Sequence, residues 1–546
     1  MIRINEIELE VTQAESKLLR KISKLLMIKP EAVLSYNIIK KSIDARDKSC
    51  IKYSYKIDVK VSGEKQVIKK LYEKQGIKIS NNIFRLEAKP LYSAEYSLKK
   101  PELRPVIAGF GPAGIFCALT LARAGLCPLI IERGEEVDKR AEAVECFWKE
   151  GTLNLNSNVS FGEGGAGTFS DGKLNTMVKD RAGRNEAVLK TLANFGADSE
   201  ILYLNNPHIG TDKLREVIKN IRKEIIRLGG EFRFSAKLEK INILNKEIKS
   251  IIISQLKKGN FEEIPCSCLV LAIGHSARDT FKMLYENSLK IEAKSFAVGV
   301  RMAHKQSLID NSQYGIKYAG LLPPASYKLT ARTSRGRGVY SFCMCPGGYI
   351  VNSSTEKSML AVNGMSYHSR AGEYANSAII VTVSPEDFKS SDPLAGIEFQ
   401  RELEKKAYEV GRGNIPVQLL GDFLNKASVT AQDINNTRAD FDCFKGNACF
   451  AALNKILPDF VYASICKALP VFNTKIAGFT KADTITAGIE SRTSSPVRLL
   501  RDENCQADIR GIFPCGEGAG YAGGITSAAI DGIKVAENII KIYNDD

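Results

Sequence analysis

Residues 106–133 read VIAGFGPAGIFCALTLARAGLCPLIIER. An apolar run leads into G-x-G-x-x-G, an apolar stretch of helical length follows, and a second apolar run ends on an acid. This order specifies a buried strand, a tight turn, a helix and a second strand. Gly109 permits the turn, Gly111 lets the backbone approach a pyrophosphate, and Gly114 allows the helix to pack closely. Pro112 and Ala113 open the helix, whose N-terminus offers free N–H groups and the positive end of its dipole to a phosphate. Glu132 is placed for the hydroxyls of an adenosine ribose, and Arg133 follows it directly.

The same glycine spacing recurs at GEGGAG (162–167) and GAGYAG (518–523). Neither has the flanking strands and helix, so the chain is expected to bind one dinucleotide with two accessory glycine loops. That arrangement favours FAD over NAD, because the ribityl chain and flavin ring need segments distant from the first turn. The C-terminal stretch GIFPCGEGAGYAGGITSAAIDGIKVAENI supplies one. Its strand IFPCGE resembles the late flavoprotein fingerprint, which implies that Gly516 and Glu517 lie at the ribityl chain, and Gly523, Gly524 and Ile525 are expected to open a helix toward the flavin. LVLAIGHSA resembles the alanine–glycine strand end that also approaches FAD in this fold, with Ala272 and Gly274 as its carriers and His275 following as a structural residue. GGAGTFSDGKLN offers Gly167, Ser170, Asp171 and Lys173 along the pyrophosphate and ribityl, and Arg140 is a candidate phosphate contact.

The domain division follows from these placements. Residues 1–95 alternate strand and helix, an α+β module of ferredoxin-like type, with IRINEIELEV and IKYSYKIDVKV as the strands of 1–60. Residues 96–105 form a linker. Residues 106–290 and 481–546 make a discontinuous, Rossmann-like α/β FAD-binding domain, and 291–480 form an inserted α+β substrate or cap domain. Thr211 is the expected N-cap of a helix that stops at Gly229. Residues 1–104 hold 23 Lys or Arg against 13 Asp or Glu, ten of the net charge of +15. A solvated lysine-rich face is the first reading of that excess, and attraction of nucleic acid the lesser one. No apolar run is long enough to span a membrane and the start lacks a signal core, which points to a cytoplasmic protein. Thirteen cysteines at irregular spacing suit reduced thiols, and the four scattered histidines suit no metal site.

Several longer stretches carry a resemblance. ERGEEVDKRAEAVECFW, NVSFGEGGAGTFSDGKLNT, FCMCPGGYIVNSSTE, VNGMSYHSRAG and SRTSSPVRLLRD, with the first and last glycine turns, are similar to a family of largely uncharacterised bacterial FAD-dependent dehydrogenases. These belong to the glutathione-reductase-like two-domain flavoproteins. The resemblance covers most of 105–546 and implies FAD and an oxidoreductase fold, with no substrate attached. The chain is thus expected to be an FAD-dependent oxidoreductase of a small organic substrate. An FAD-dependent RNA-modifying enzyme and a non-catalytic flavin-binding interaction protein remain alternatives.

For the substrate side, SRTSSPVR offers Arg492 and Arg498 as a clamp for an anion. NGMSYHSR offers Tyr367, His368 and Arg370, with His368 as candidate proton donor. The C-x-C pair Cys343 and Cys345 is read as unstrained and reduced. No second complete nucleotide unit exists, so two electron sources stay open: transient NAD(P)H, or the substrate itself. The oligomeric state is not legible.

Overall fold

The computed structural model describes residues 1–75, 82–86, 98, 101–334, 336–426 and 442–545. The expected linker at 96–105 lies in part outside them. The N-terminal module runs β1 (Ile2–Glu10), α1 (Lys17–Leu26), β2 (Val33–Asp44), β3 (Lys52–Val61), α2 (Glu64–Gln75) and β4 (Ile83–Arg85). Its strands are antiparallel in the order β2-β3-β1-β4, the connectivity of a split βαβ module. Residues 1–60 hold three strands, not two. β1 and β3 alternate and bury Ile2, Ile4, Ile57 and Val59 against Leu18 and Ile22 of α1. The module is tied to the rest of the chain at Lys41, whose N–H donates to Tyr203 O and whose carbonyl accepts from Asn205.

The next unit begins β5 (Val106–Ala108), α3 (Pro112–Arg123), β6 (Leu129–Ile131), α4 (Val137–Glu150), α5 (Arg184–Asn194), α6 (Thr211–Arg227) and β7 (Glu231–Arg233). An antiparallel meander of β8 (Ala236–Leu244), β9 (Glu247–Gln255) and β10 (Asn260–Pro265) precedes β11 (Leu269–Leu271) and α7 (Arg278–Glu286). Thr211 is the first residue of α6 rather than its cap. Gly210 caps it, because the Thr211 hydroxyl donates to Ser170 O instead.

The inserted region contains β12 (Ile291–Ala293), β13 (Phe296–Lys305), β14 (Thr330–Arg332), β15 (Gly338–Cys345), β16 (Tyr349–Asn352), β17 (Val362–Met365) and β18 (Tyr374–Val383). It continues with β19 (Ile415–Leu419), β20 (Phe444–Lys445), β21 (Ala448–Phe450) and β22 (Ile485–Glu490). A seven-stranded sheet, β14-β15-β18-β13-β22-β19-β21, carries its largest core, with helix Asp459–Lys475 packed on it. The expected boundary at 480 is too early. β22 pairs with both β13 and β19, so the insertion extends at least to Glu490.

β23 (Val497–Leu499) pairs with β12, and β24 (Ile512–Pro514) leads to the C-terminal helix Ile525–Asp545. β24 returns to the first sheet, giving the parallel order β24-β11-β5-β6-β7. Numbered along the chain, that is the 3-2-1-4-5 order of the doubly wound dinucleotide fold read from β7. Every residue of β5, β6, β11 and β24 is buried, as a sheet covered on both faces requires. The chain leaves β5 toward β6 on one side, while β11 and β24 lie on the other. The switch point is therefore at the carboxyl ends of β5 and β11. No helix among the described residues is long and apolar enough to cross a membrane.

Candidate flavin-binding cleft

At the switch point the glycines are sterically required. Gly109 has φ +102°, and a Cβ there would sit 2.3 Å from Ala272 O at the end of β11. A Cβ on Gly114 would sit 2.0 Å from Gly109 O, so the helix packs against the turn itself. Gly111 caps α3 with Pro112 at the first turn. The other two loops come to the same place. A Cβ on Gly165 would meet Gly111 Cα at 2.8 Å, one on Gly167 would meet Ile525 at 3.0 Å, and one on Gly518 would meet Gly274 O at 2.5 Å.

These loops line one cavity of about 1430 Å³, its open mouth included. Its walls include Gly109–Ala113, Glu132, Arg133, Gly167, Ser170, Ala272, Gly274, Glu517 and Gly523–Ile525. The inserted domain adds Phe342, Cys343, Asn363, Glu490, Arg492 and Thr493. The lining, three glycine loops at the switch point, suits a dinucleotide. Gly274 and Gly523 have nothing within 4 Å of a built Cβ, so side chains there would fill space that the cradle leaves free.

Glu132 is 5% exposed, and its carboxylate accepts from the N–H groups of Phe110, Gly134 and Gly162, each at 2.9 Å. It therefore holds the first and second glycine loops in register while facing the cavity. Arg133 lies over the Phe161 ring at 4.2 Å and pairs with Asp279. Glu517 stands 3.9 Å from His275 Nε2. Burial pushes its carboxyl up to about 7, and the Lys294 charge opposes that shift.

Other predicted residues are elsewhere. Gly114 and Gly516 support the cradle from behind it. A Cβ on Gly516 would meet Ala113 Cβ at 2.6 Å. Arg140 is fully buried and donates to the carbonyls of Asn158, Val159, Gly162 and Glu163. Those bonds fold the 158–163 loop, and the guanidinium does not reach the cavity, so the expected phosphate contact is corrected. Burial pushes it down to about 9, with Glu132 opposing. Asp171 pairs with Arg370, and Lys173 donates to Met344 O. Both join the two domains outside the cavity wall.

Tyr367 and His368 are also away from it. Tyr367 packs on Tyr349. His368 Nδ1 lies 2.8 Å from Ile209 O, Nε2 lies 3.1 Å from Asp198, and the ring stacks on His208. The 366–370 segment is drawn onto Gly210, where a Cβ would meet His368 N at 2.3 Å, so His368 is an interdomain contact.

Arg492 lines the cavity, but its charge is engaged. It makes a two-pronged pair with Glu404 (2.9 and 2.7 Å) and also donates to Thr355 and Ser276. Arg498 instead lies over Tyr521. The expected two-arginine clamp is not assembled. Arg278 shares Glu404, so this carboxylate, flanked by two guanidiniums, stays well below the usual range despite burial.

Ser276 and Arg301 escaped sequence reasoning, and His275 reads there as structural only. His275 and Ser276 line the cavity just beyond β11. Arg301 is 0% exposed beneath the wall and holds Glu490, Asn363, Asn376 and the Cys343 carbonyl. A single arginine inside the apolar run FAVGVRMAHK was the available signal. Cys343 faces the cavity at φ +42° on a bulge between Phe342 and Cys345, so it is not unstrained. All thirteen cysteines are free, and no group of three or more possible metal ligands occurs among the described residues.

The family described as FAD-dependent protein, C-terminal domain-like, matches residues 295–493, and a domain of unknown function matches 1–60. An uncharacterized protein of Clostridium beijerinckii is 48% identical over 550 residues, covering 100% of this chain and 99% of that protein. Among solved structures, a triple mutant of the flavin-dependent brominase Bmp2 is 12% identical with a TM-score of 0.38, over 82% of this chain and 81% of its own. The glycerol-3-phosphate dehydrogenase of Bacillus halodurans, complexed with FAD, is 11% identical with a TM-score of 0.35, over 81% and 64% respectively. The chain belongs to the family of the Clostridium beijerinckii protein and is an FAD-dependent protein, with FAD as its cofactor.

Proposed function

We propose that the chain is an FAD-dependent oxidoreductase that moves a hydride between the flavin and a small organic substrate lodged under the inserted domain. One observation carries this reading: a single cavity is walled on one side by three glycine loops and on the other by residues of the inserted sheet. A binding protein needs the first wall only.

Bound FAD supplies two-electron chemistry that no side chain here offers. The chain's residues bind and orient it. The N-terminus of α3, at Gly111 and Pro112, faces the pyrophosphate. Glu132 serves the ribose, with three of its roughly four lone-pair directions fixed by backbone N–H groups. The start of the C-terminal helix, Gly523–Ile525, places positive dipole where negative charge develops on reduction. Phe342, Asn363 and Thr493 line the facing wall and would limit the access of water to a bound flavin.

With no second nucleotide unit in the sequence, NAD(P)H acts as a transient reductant. Anaerobic mixing of the purified yellow protein with NADH or NADPH, followed by candidate acceptors, tests the proposal. Flavin bleaching and substrate-dependent recovery are expected. A flavin that exchanges electrons with no nicotinamide and no organic compound overturns it and favours the interaction-protein alternative.

A further inference from the structure

The wall that the inserted domain turns toward the cavity is built around Arg301. Its five N–H groups are all used: Nε and Nη2 on Glu490 (2.9 and 3.1 Å), Nη1 on Asn376 Oδ1 (2.8 Å) and Cys343 O (3.2 Å), and Nη2 on Asn363 Oδ1 (3.3 Å). The Arg301–Glu490 pair is buried, at 0% and 3% side-chain exposure, and self-neutralised. The second cation of the wall, Arg492, pairs with Glu404, and Arg278, which shares that carboxylate, has Glu356 as a second counter-ion. Among the described residues, no unpaired ion of the inserted domain lines the cavity.

Hydrogen-bonding capacity is one-sided as well. The Asn363 side-chain oxygen is occupied twice, by Arg301 and by the Gly364 N–H at 2.8 Å. This assignment leaves the Asn363 NH2 group with no partner among the described residues, on a side chain whose residue lines the cavity. Thr493 is spent, its hydroxyl donating to Ala297 O and accepting from Ala297 N. The Cys343 thiol is a second, weaker donor, and Phe342 supplies an apolar ring surface. The wall therefore offers donors, an aromatic surface and no net charge.

We propose that Phe342, Cys343 and Asn363 form a substrate subsite for an uncharged, flat carbonyl compound, whose oxygen accepts from the Asn363 amide. This rests on the oxidoreductase reading above and names its substrate class. The class replaces the anionic substrate anticipated from Arg492 and Arg498, because the first is saturated and the second lies elsewhere. Reduction of a carbonyl-conjugated double bond takes one hydride, supplied through the flavin by a nicotinamide reductant, and one proton from solvent. The compound gains two hydrogens and the nicotinamide is oxidised.

The test uses oxidised holoprotein and two probes with one skeleton, neutral cinnamamide and anionic cinnamate. Binding is read from the perturbation of the flavin spectrum, so it does not depend on turnover. Cinnamamide is expected to bind at least about tenfold more tightly than cinnamate. Asn363→Asp retains both oxygen contacts, to Arg301 and Gly364, but replaces the donor by an acceptor. It is expected to keep full FAD content and thermal stability and to lose about tenfold in cinnamamide affinity. A residue needed only for packing would leave that affinity unmoved. Asn363→Leu provides the second variant, with the same loss expected. Equal or tighter binding of cinnamate, or Asn363→Asp binding cinnamamide as the parent does, overturns the subsite while leaving the oxidoreductase proposal standing. A holoprotein that binds neither probe yet turns over an anionic substrate also overturns it. Failure of the flavin to exchange electrons with any compound defeats the oxidoreductase proposal instead.

Discussion

At Gly109 the backbone conformation and the space around it both exclude a side chain. Gly109→Ala is expected to cost about 2 kcal/mol or more, from left-handed strain plus collision with a backbone carbonyl that cannot yield. Thermal unfolding of the purified variant reads this, and FAD content should fall with it. Glu517 gives a pH prediction. Its side chain is about a quarter exposed, but to the cavity rather than bulk water, and burial lifts it from 4.5 to about 7. A carboxyl with a raised folded value contributes its stability in full below about 4.5 and loses it as pH rises through about 7. The apo protein should therefore lose roughly 1–3 kcal/mol across that window, after allowance for its partial exposure. Glu517→Gln should flatten the profile of melting temperature against pH. An unchanged profile would place the titration elsewhere.

Between elements, the join of α7 to the inserted domain is ionic. Arg278 and Arg492 converge on the buried Glu404, with Gln400, Ser491 and Glu356 bonded to the same set. Glu404→Ala leaves Arg492 without its counter-ion and Arg278 with only Glu356 and Gln400, and should destabilise the protein by about 3–5 kcal/mol, measured by urea unfolding. Glu404→Gln should cost less, because the amide oxygen still accepts. This join was not legible in the sequence, since its three charged members lie 126 and 88 residues apart along the chain and nothing local pairs them. The β5–α3–β6 unit was legible because it is local and its glycines, helix and acid must all appear together. β2 was missed because VLSYNIIKKSID, an edge strand with a largely half-exposed surface, lacks strict alternation. β22 was assigned to the wrong side of a boundary because all six of its residues are buried, so it shows no period-two pattern. Tyr367 and His368 were chosen for their chemistry, and only the packing of Gly210 on their loop reveals where they go.

Across the whole molecule, a dinucleotide that touches β5, β11, the 162–170 loop, the C-terminal helix and the inserted sheet should bind only the assembled fold. Saturation with FAD at a hundred times its dissociation constant should then add about 2.7 kcal/mol to stability, visible as a concentration-dependent melting temperature. The central claim is that loops about 400 residues apart grip one FAD, and the flavin-to-protein ratio of two paired variants tests it. Gly111→Leu and Gly523→Phe each place a side chain at a position with no positive φ and no close neighbour under 3.4 Å. Both should melt close to the parent in the apo form. The parent should carry one FAD per chain, and each variant should carry almost none. Full FAD occupancy in either folded variant would contradict the account, because that loop would then lie outside the grip.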